Sequence, residues 1–340
     1  MSTPLKALLL SDGRPGHFNL AEGILDAARR QRPIEITRIE VRRGRWSGAV
    51  LGAWSNSGVA AARLLGMVYG LDPTTLPTCD LVVSAGAETL AANVAYSRLK
   101  GATNIFYGSL RRFRPESFNL VLTSYASQSD RPNHAFALKP SPAANFARAT
   151  RSKAPSAPPR HVALLVGGPS GETSFEPADW QRLSALVTST AARGMIWHLT
   201  NSRRTPDLVS DQLAELAAQL GTPIVLFADV RKPDAIPLAQ LLANCDAAVV
   251  TDDSSSMVSD AVAAGLPVIG LAPRLHALNT NEQAYRASLV ACGWYQPVAL
   301  TDIGPDQLSA LFAALTPLAT DPAEVLAGLL AERLPQLFPR

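Results

Sequence analysis

Three short segments hold residue types whose order could do chemistry. The first is Asp12-Gly13-Arg14-Pro15-Gly16-His17-Phe18-Asn19. It joins a strand-like apolar run to a helix-like one, where open α/β sheets bind ligands. Its glycines permit close backbone approach, and a helix N-terminus attracts negative charge. Gly13, Arg14, Gly16 and Asn19 are therefore candidate ligand contacts, and Asp12 and His17 candidate proton carriers. A capped tight turn would use the same residues. The spacing G-x-x-G is not the dinucleotide fingerprint G-x-G-x-x-G.

The second segment is Gly167-Gly168-Pro169-Ser170-Gly171. Backbone amides and a serine hydroxyl suit a phosphate or diphosphate, and no G-K-[ST] follows to make a P-loop. A Gly-Gly-Pro turn needs no ligand. The third is Thr251-Asp252-Asp253-Ser254-Ser255-Ser256, with Asp260 about one helical turn on. Hydroxyls and unpaired amides at a helix start can grip a diphosphate, and a carboxylate one turn later can take ribose hydroxyls. An ordinary N-cap with Asp260 favouring the helix dipole is the plainer alternative. Asp252 and Asp253 do not read as a metal pair, because adjacent carboxylates on a strand end point to opposite sides.

Apolar runs of strand length alternate with helix-period stretches. Strands are expected over residues 5–11, 34–41, 81–84, 104–107 and 119–123. After the Pro, Ala and Ser-rich segment 139–159, which reads as a linker, they are expected over 161–166, 195–200, 224–227, 247–251 and 267–271. Helices fall between them, over 19–31, 88–99, 177–193, 237–244 and 256–264. Such alternation means parallel βαβ units with buried sheets. The expected fold is α/β, with two doubly wound parallel-sheet, Rossmann-like domains facing across a cleft. Their expected limits are 1–150 and 151–320, with a C-terminal helix in 321–340 that packs back on the first domain.

Composition supports two full cores: the chain has 340 residues, 47% hydrophobic and 17% charged, which excludes a disordered protein. Cys79, Cys245 and Cys292 are far apart, without C-x-x-C spacing. They favour neither a disulfide scaffold nor a zinc site, and fit a reducing compartment. The start lacks signal-peptide features, and no run approaches about 20 apolar residues. A cytoplasmic protein is expected.

The net charge of +3 hides a division. Up to Arg160 there are 21 basic and 10 acidic residues; the remainder carries 10 and 18. Arginines crowd at 29, 30, 32, 38, 42, 43 and 45 and again at 111, 112 and 114. A solvated surface explains these, as does an anionic partner. Nucleic acid is disfavoured, because they match no known module pattern.

The order S-D-x-x-x-x-G-L-P at residues 259–267 resembles the nucleotide-sugar region of GT-B glycosyltransferases; in the one that acts on lipid-linked peptidoglycan precursors the matching residue is a glutamate that holds the donor ribose, and here Asp260 is one methylene shorter. SDGRPGHFN at 11–19, NSRRTP at 201–206 and TDDSSSMVSDA at 251–261 resemble the bacterial relatives of the plant "elongate mitochondria" fission factor. These are glycosyltransferase-like proteins, and the resemblance spans most of the chain. Leu20 departs from the glutamine expected there.

The resemblance implies a transferase moving a sugar from a nucleotide-diphosphate sugar to an envelope glycolipid or lipopolysaccharide-type acceptor, without metal or other cofactor. The second domain would hold the donor through Gly168, Ser170, Gly171, Ser202, Arg203, Arg204, Asp253, Ser254, Ser255, Ser256 and Asp260. The first would bring the acceptor and a general base, with Asp12 the first choice, then His17, then Glu88. Its arginines would meet an anionic membrane surface at the inner face of the cytoplasmic membrane. Residues 46–69 would either present an apolar patch there or pack as helix against the sheet. A nucleotide-sugar 2-epimerase and a non-catalytic adaptor of the same architecture are the alternatives.

Overall fold

The computed structural model describes residues 3–152, 155–171, 173–221 and 223–339, and for Val225 the backbone. The chain divides into two units: residues up to Pro142 together with those from Pro322 onward, and Ala143–Asp321.

The first unit runs β1 (Leu5–Ser11), α1 (Pro15–Arg29), β2 (Ile34–Glu40), α2 (Gly48–Asn56), α3 (Ala61–Tyr69), β3 (Leu81–Ala85), α4 (Leu90–Lys100), β4 (Thr103–Tyr107), β5 (Leu120–Thr123) and β6 (His134–Phe136). Its six strands lie parallel in the order β2-β1-β3-β4-β5-β6. Because side chains alternate across a strand, Leu5, Ala7 and Leu9 face one core and Leu8 and Leu10 the other. The first core is covered by α1 and by the C-terminal helix α12 (Pro322–Arg333), through Ile24, Leu25, Leu326 and Leu330. The second is covered by α2, α3 and α4 through Leu51, Leu64, Leu65 and Val94. Most of the apolar content of residues 46–69 is therefore packed on the sheet, with the Trp46 and Trp54 rings 4.8 Å apart; Val50 and Met67 stay exposed.

The second unit contains α5 (Pro142–Thr150), β7 (His161–Leu165), α6 (Pro177–Ala191), β8 (Ile196–Thr200), α7 (Asp207–Leu220), β9 (Ile224–Ala228), α8 (Leu238–Ala243), β10 (Ala247–Thr251), α9 (Ser255–Ala263), β11 (Val268–Ala272), α10 (Thr280–Ala291), β12 (Tyr295–Ala299) and α11 (Pro305–Ala314). Its strands are again parallel, in the order β12-β11-β10-β7-β8-β9. Val162, Leu164, Trp197, Leu199 and Ile269 build its core with α6, α7 and α11.

The linker expected over 139–159 is in part a helix, α5. Its Pro, Ala and Ser content reads as a linker, yet one face of this short helix buries Ala144 and Ala147. Arg151 then pegs the segment to its unit, donating to the Ala264 and Leu242 carbonyls at 2.8 and 3.1 Å. Among the described residues no helix is long and apolar enough to cross a membrane.

In each sheet the strand order reverses once, between β1 and β3 and between β7 and β10. Ligands in open α/β sheets bind outside the carboxyl ends of the strands at such a reversal. The loops after β1 and β3, and those after β7 and β10, are thereby selected by topology.

Candidate functional site

In the first unit, Asp12 leaves β1 and turns back into its own loop. The Arg14 amide donates to Asp12 Oδ1 at 3.1 Å and the Gly13 amide to Ser11 Oγ at 3.1 Å. Asp12 Oδ2 lies 2.7 Å from His17 Nδ1. The carboxylate is 1% exposed and the imidazole 31%. The ring rests on Gly86, just after β3: a Cβ there would stand 2.2 Å from His17 Nδ1, and Gly86 holds φ +89°. A buried carboxylate thus fixes Nδ1–H, while Nε2 makes no hydrogen bond among the described residues.

Gly13, Arg14, Gly16 and Asn19 are exposed around this pair. Glu88 does not join it: Arg43 Nη2 holds its carboxylate at 2.9 Å, and its carbonyl accepts from the Tyr69 hydroxyl at 3.0 Å.

In the second unit, the loops after β7, β8 and β10 converge. A Cβ on Gly168 would fall 2.0 Å from the Arg204 carbonyl oxygen, so only glycine lets the two backbones meet. Thr205 Oγ1 donates to the Gly167 carbonyl at 2.6 Å, and the Gly167 amide donates to Thr251 Oγ1 at 2.6 Å. Asp253 lies between them. Its side chain is fully buried and its Oδ2 is 2.7 Å from Arg204 Nη2 and 3.1 Å from the Gly168 amide. The Gly168 amide and Asp253, expected at the donor, here brace the loop and aim Arg204, which is 39% exposed. Ser202 Oγ accepts from the Arg204 amide at 3.2 Å, whereas Arg203 is exposed. Behind them Asn201 donates to Ser210 Oγ and Asp229 Oδ1 at 2.9 and 2.8 Å. Hydrogen bonds from Arg231 hold the Asp229 carboxyl well below the usual range.

The three serines divide their work. Ser254 caps α9, its Oγ accepting from the Met257 amide at 3.4 Å. Ser255 donates to Glu282 on α10, and Ser259, four residues on, shares that side and meets the Tyr285 hydroxyl at 2.8 Å. Ser256 is exposed, and half-buried Asp260 lies four residues on, hence on the same face. Ser170 is half-buried and Gly171 exposed at the tip of the first loop.

Residues 15–322 match the family model described as Mitochondrial fission ELM1. The chain belongs to that family. No curated protein matches it. Among solved structures, it is similar to the glycotransferase of kitacinnamycin, at 14% identity and TM-score 0.51, over 99% of this chain and 96% of that one. It is also similar to MurG of Acinetobacter baumannii, at 12% and 0.50, over 98% and 100%. A third is the UDP-GlcNAc 2-epimerase of Neisseria meningitidis bound to UDP-GlcNAc, at 13% and 0.53, over 98% and 100%. At such identities the likeness is one of fold, and the fold of this ELM1-family chain is GT-B: two Rossmann-like domains.

Sequence reasoning missed the layer behind the serines. Asp252 points away from Asp253, its Oδ1 accepting from the Tyr295 hydroxyl at 2.5 Å. Its Oδ2 lies 3.1 Å from His276 Nε2. Arg286 Nη1 is 2.8 Å from Oδ1 in ion-pair contact, off its N–H direction. Burial holds Tyr295 well above its ordinary pKa. His276 in turn meets Thr173 Oγ1 at 3.2 Å, and the Ser174 amide donates to the Leu275 carbonyl at 2.9 Å, so this layer ties the loop after β7 to the loop after β11. One signal for it existed: Glu282 and Arg286 stand at i, i+4 on α10.

Proposed function

We propose that the protein is a GT-B glycosyltransferase that moves a sugar from a nucleotide-diphosphate sugar to an envelope glycolipid or lipopolysaccharide-type acceptor. The observation that carries this reading is the convergence of the loops after β7, β8 and β10, where Asp253 and Gly168 brace Arg204 beside the start of α9; exposed Arg203 and Ser256 and half-buried Asp260 belong to the same loops and helix. Guanidinium groups make bidentate contact with phosphate oxygens and neutralise a departing diphosphate, and the helix start adds amides of the same sign. Asp260 is suited to ribose hydroxyls. Because charge compensation comes from guanidinium and dipole, the reaction needs no metal ion, and Asp252 and Asp253 diverge into separate contacts.

In the first unit His17 is the base. With Nδ1–H given to Asp12, Nε2 takes the proton of the acceptor hydroxyl as it attacks the anomeric carbon, and the buried carboxylate stabilises the imidazolium. Asp12 is its positioning residue, which reverses the order expected from the sequence. Acceptors at the inner face of the cytoplasmic membrane fit the basic first half.

Calorimetric titration with uridine, cytidine and guanosine diphosphates and their sugars tests the donor site. One of these should stabilise the protein by about 2.7 kcal/mol at 100 times its Kd, and Asp260→Ala should abolish the response. Absence of binding at millimolar concentration would overturn the reading. Turnover of the nucleotide sugar without any acceptor would instead indicate an epimerase, and binding without turnover an adaptor.

A further inference from the structure

Apart from exposed Arg45 and Arg114, the clustered arginines of the first unit separate into two kinds. Arg29 pairs with Asp26, Arg30 with Glu324, Arg38 with Glu22 and Arg42 with Glu40, while Arg32 donates to the Leu337 and Thr3 carbonyls. Carboxylates thus neutralise four of these charges within the unit, and carbonyls tie down the fifth guanidinium. Arg43, Arg111 and Arg112 instead line one open cavity of about 310 Å³, together with Gly48 and Ala49 at the start of α2, Ala87 in the loop before α4 and Leu90 at its start. Glu88 faces Arg43 there; no ion pair joins Arg111 or Arg112 to a carboxylate among the described residues.

The cavity is built rather than incidental. Asn56 clamps the arginine loop on α2, its Nδ2 donating to the Arg112 carbonyl at 2.9 Å and its Oδ1 accepting from the Arg114 amide at 3.1 Å. A Cβ on Gly52 would stand 3.3 Å from Arg112 Cβ, so the loop sits hard against the helix. Leu110 and Phe113 anchor it in the core on either side. Arg111 between them is held at φ +54°, a left-handed conformation that side-chain-bearing residues avoid. The Arg43 guanidinium lies over Gly48, where a Cβ would be 2.9 Å from Nη1, next to the first amides of α2.

We propose that this cavity is a phosphoryl-binding site of the first unit, separate from the nucleotide-sugar site. Three guanidinium groups against one carboxylate leave a surplus that matches a doubly charged phosphate, and their planar forks suit its oxygens. The start of α2 offers N–H donors to the same group. A terminal phosphate or a diphosphate fits, borne by a water-soluble molecule or by a lipid headgroup.

The test reads the arginines themselves. The full chain is labelled with phenylglyoxal, which modifies accessible guanidinium groups, and modification is followed residue by residue by peptide mass spectrometry. Inorganic pyrophosphate should slow labelling of Arg111 and Arg112 by about tenfold when it exceeds its Kd about tenfold, while exposed Arg63 on α3 keeps its rate. Phosphatidylcholine vesicles containing phosphatidic acid form the second arm, with pure phosphatidylcholine as the control. Protection by pyrophosphate alone assigns a soluble phosphorylated ligand, and protection by the anionic vesicles a lipid-borne one. Equal rates at Arg111, Arg112 and Arg63 in both arms would overturn the proposal. Arg112→Gln, checked by its melting curve, should lose protection at Arg111 as well. Failure of nucleotide-sugar binding would be read at Arg203 and Arg204, so the two outcomes stay distinguishable.

Discussion

Asp12 and His17 are five residues apart, and only the tight turn through Gly13 brings their side chains to 2.7 Å. Asp12→Asn should present the wrong hydrogen-bond partner to Nδ1 and slow turnover by about 10²–10⁴-fold, with nucleotide affinity unchanged. Equal turnover would remove Asp12 from the mechanism. Gly86→Ala asks a methyl group to stand where the imidazole is, at an unfavourable φ. Its kcat should fall with donor Kd unchanged, and an unaltered kcat would show that ring position is immaterial. The sequence made Asp12 and His17 visible as titratable residues beside glycines. It hid Gly86, because the third partner in that contact arrives from another strand, some seventy residues on.

Between elements, the contact that decides the second unit's geometry is the passage of the loop after β7 beneath the loop after β8. Gly168→Ala would drive its Cβ into a backbone carbonyl that has no side chain to move aside. We expect destabilisation of about 1–3 kcal/mol, read from urea unfolding, together with loss of diphosphate binding. Unchanged stability would mean the loops separate easily. Most strands were legible because parallel strands buried on both faces are continuously apolar. Two of the four edge strands were not: β6 is three residues long and β12 carries Pro297, so neither makes an apolar run. The split of Ser254, Ser255 and Ser256 among cap, α10 contact and exposed face was also hidden, since it depends on where α10 lies.

Across whole units, two tests follow from burial. His198 on β8 lies inside the second unit, 3.0 Å from His161, and burial, helped by that neighbour, lowers its pKa from 6.5 to about 4. Between those values the unfolded chain binds the extra proton and the folded one does not. Stability should therefore fall as pH drops from 6.5 toward 4 and not change further from this source below it. His198→Gln should flatten the decline in urea midpoints across that window, and an identical slope would refute the assignment. In the first unit, Leu326, Leu330, Leu334 and Phe338 are buried. At about 1.5–3 kcal/mol for each such side chain, their removal rivals the usual stability margin of about 5–15 kcal/mol. A chain ended after Asp321 should lose the first unit's cooperative melting transition while the second keeps its own.

That same helix sets a schedule for biosynthesis. The polypeptide leaves its first unit at Pro142 and returns to it at Pro322. As the nascent chain emerges, the part of that sheet face beyond α1 stays uncovered through some 180 further residues, at about 5–20 residues per second. The segment that folds first in the usual order must here wait for one made after the whole second unit.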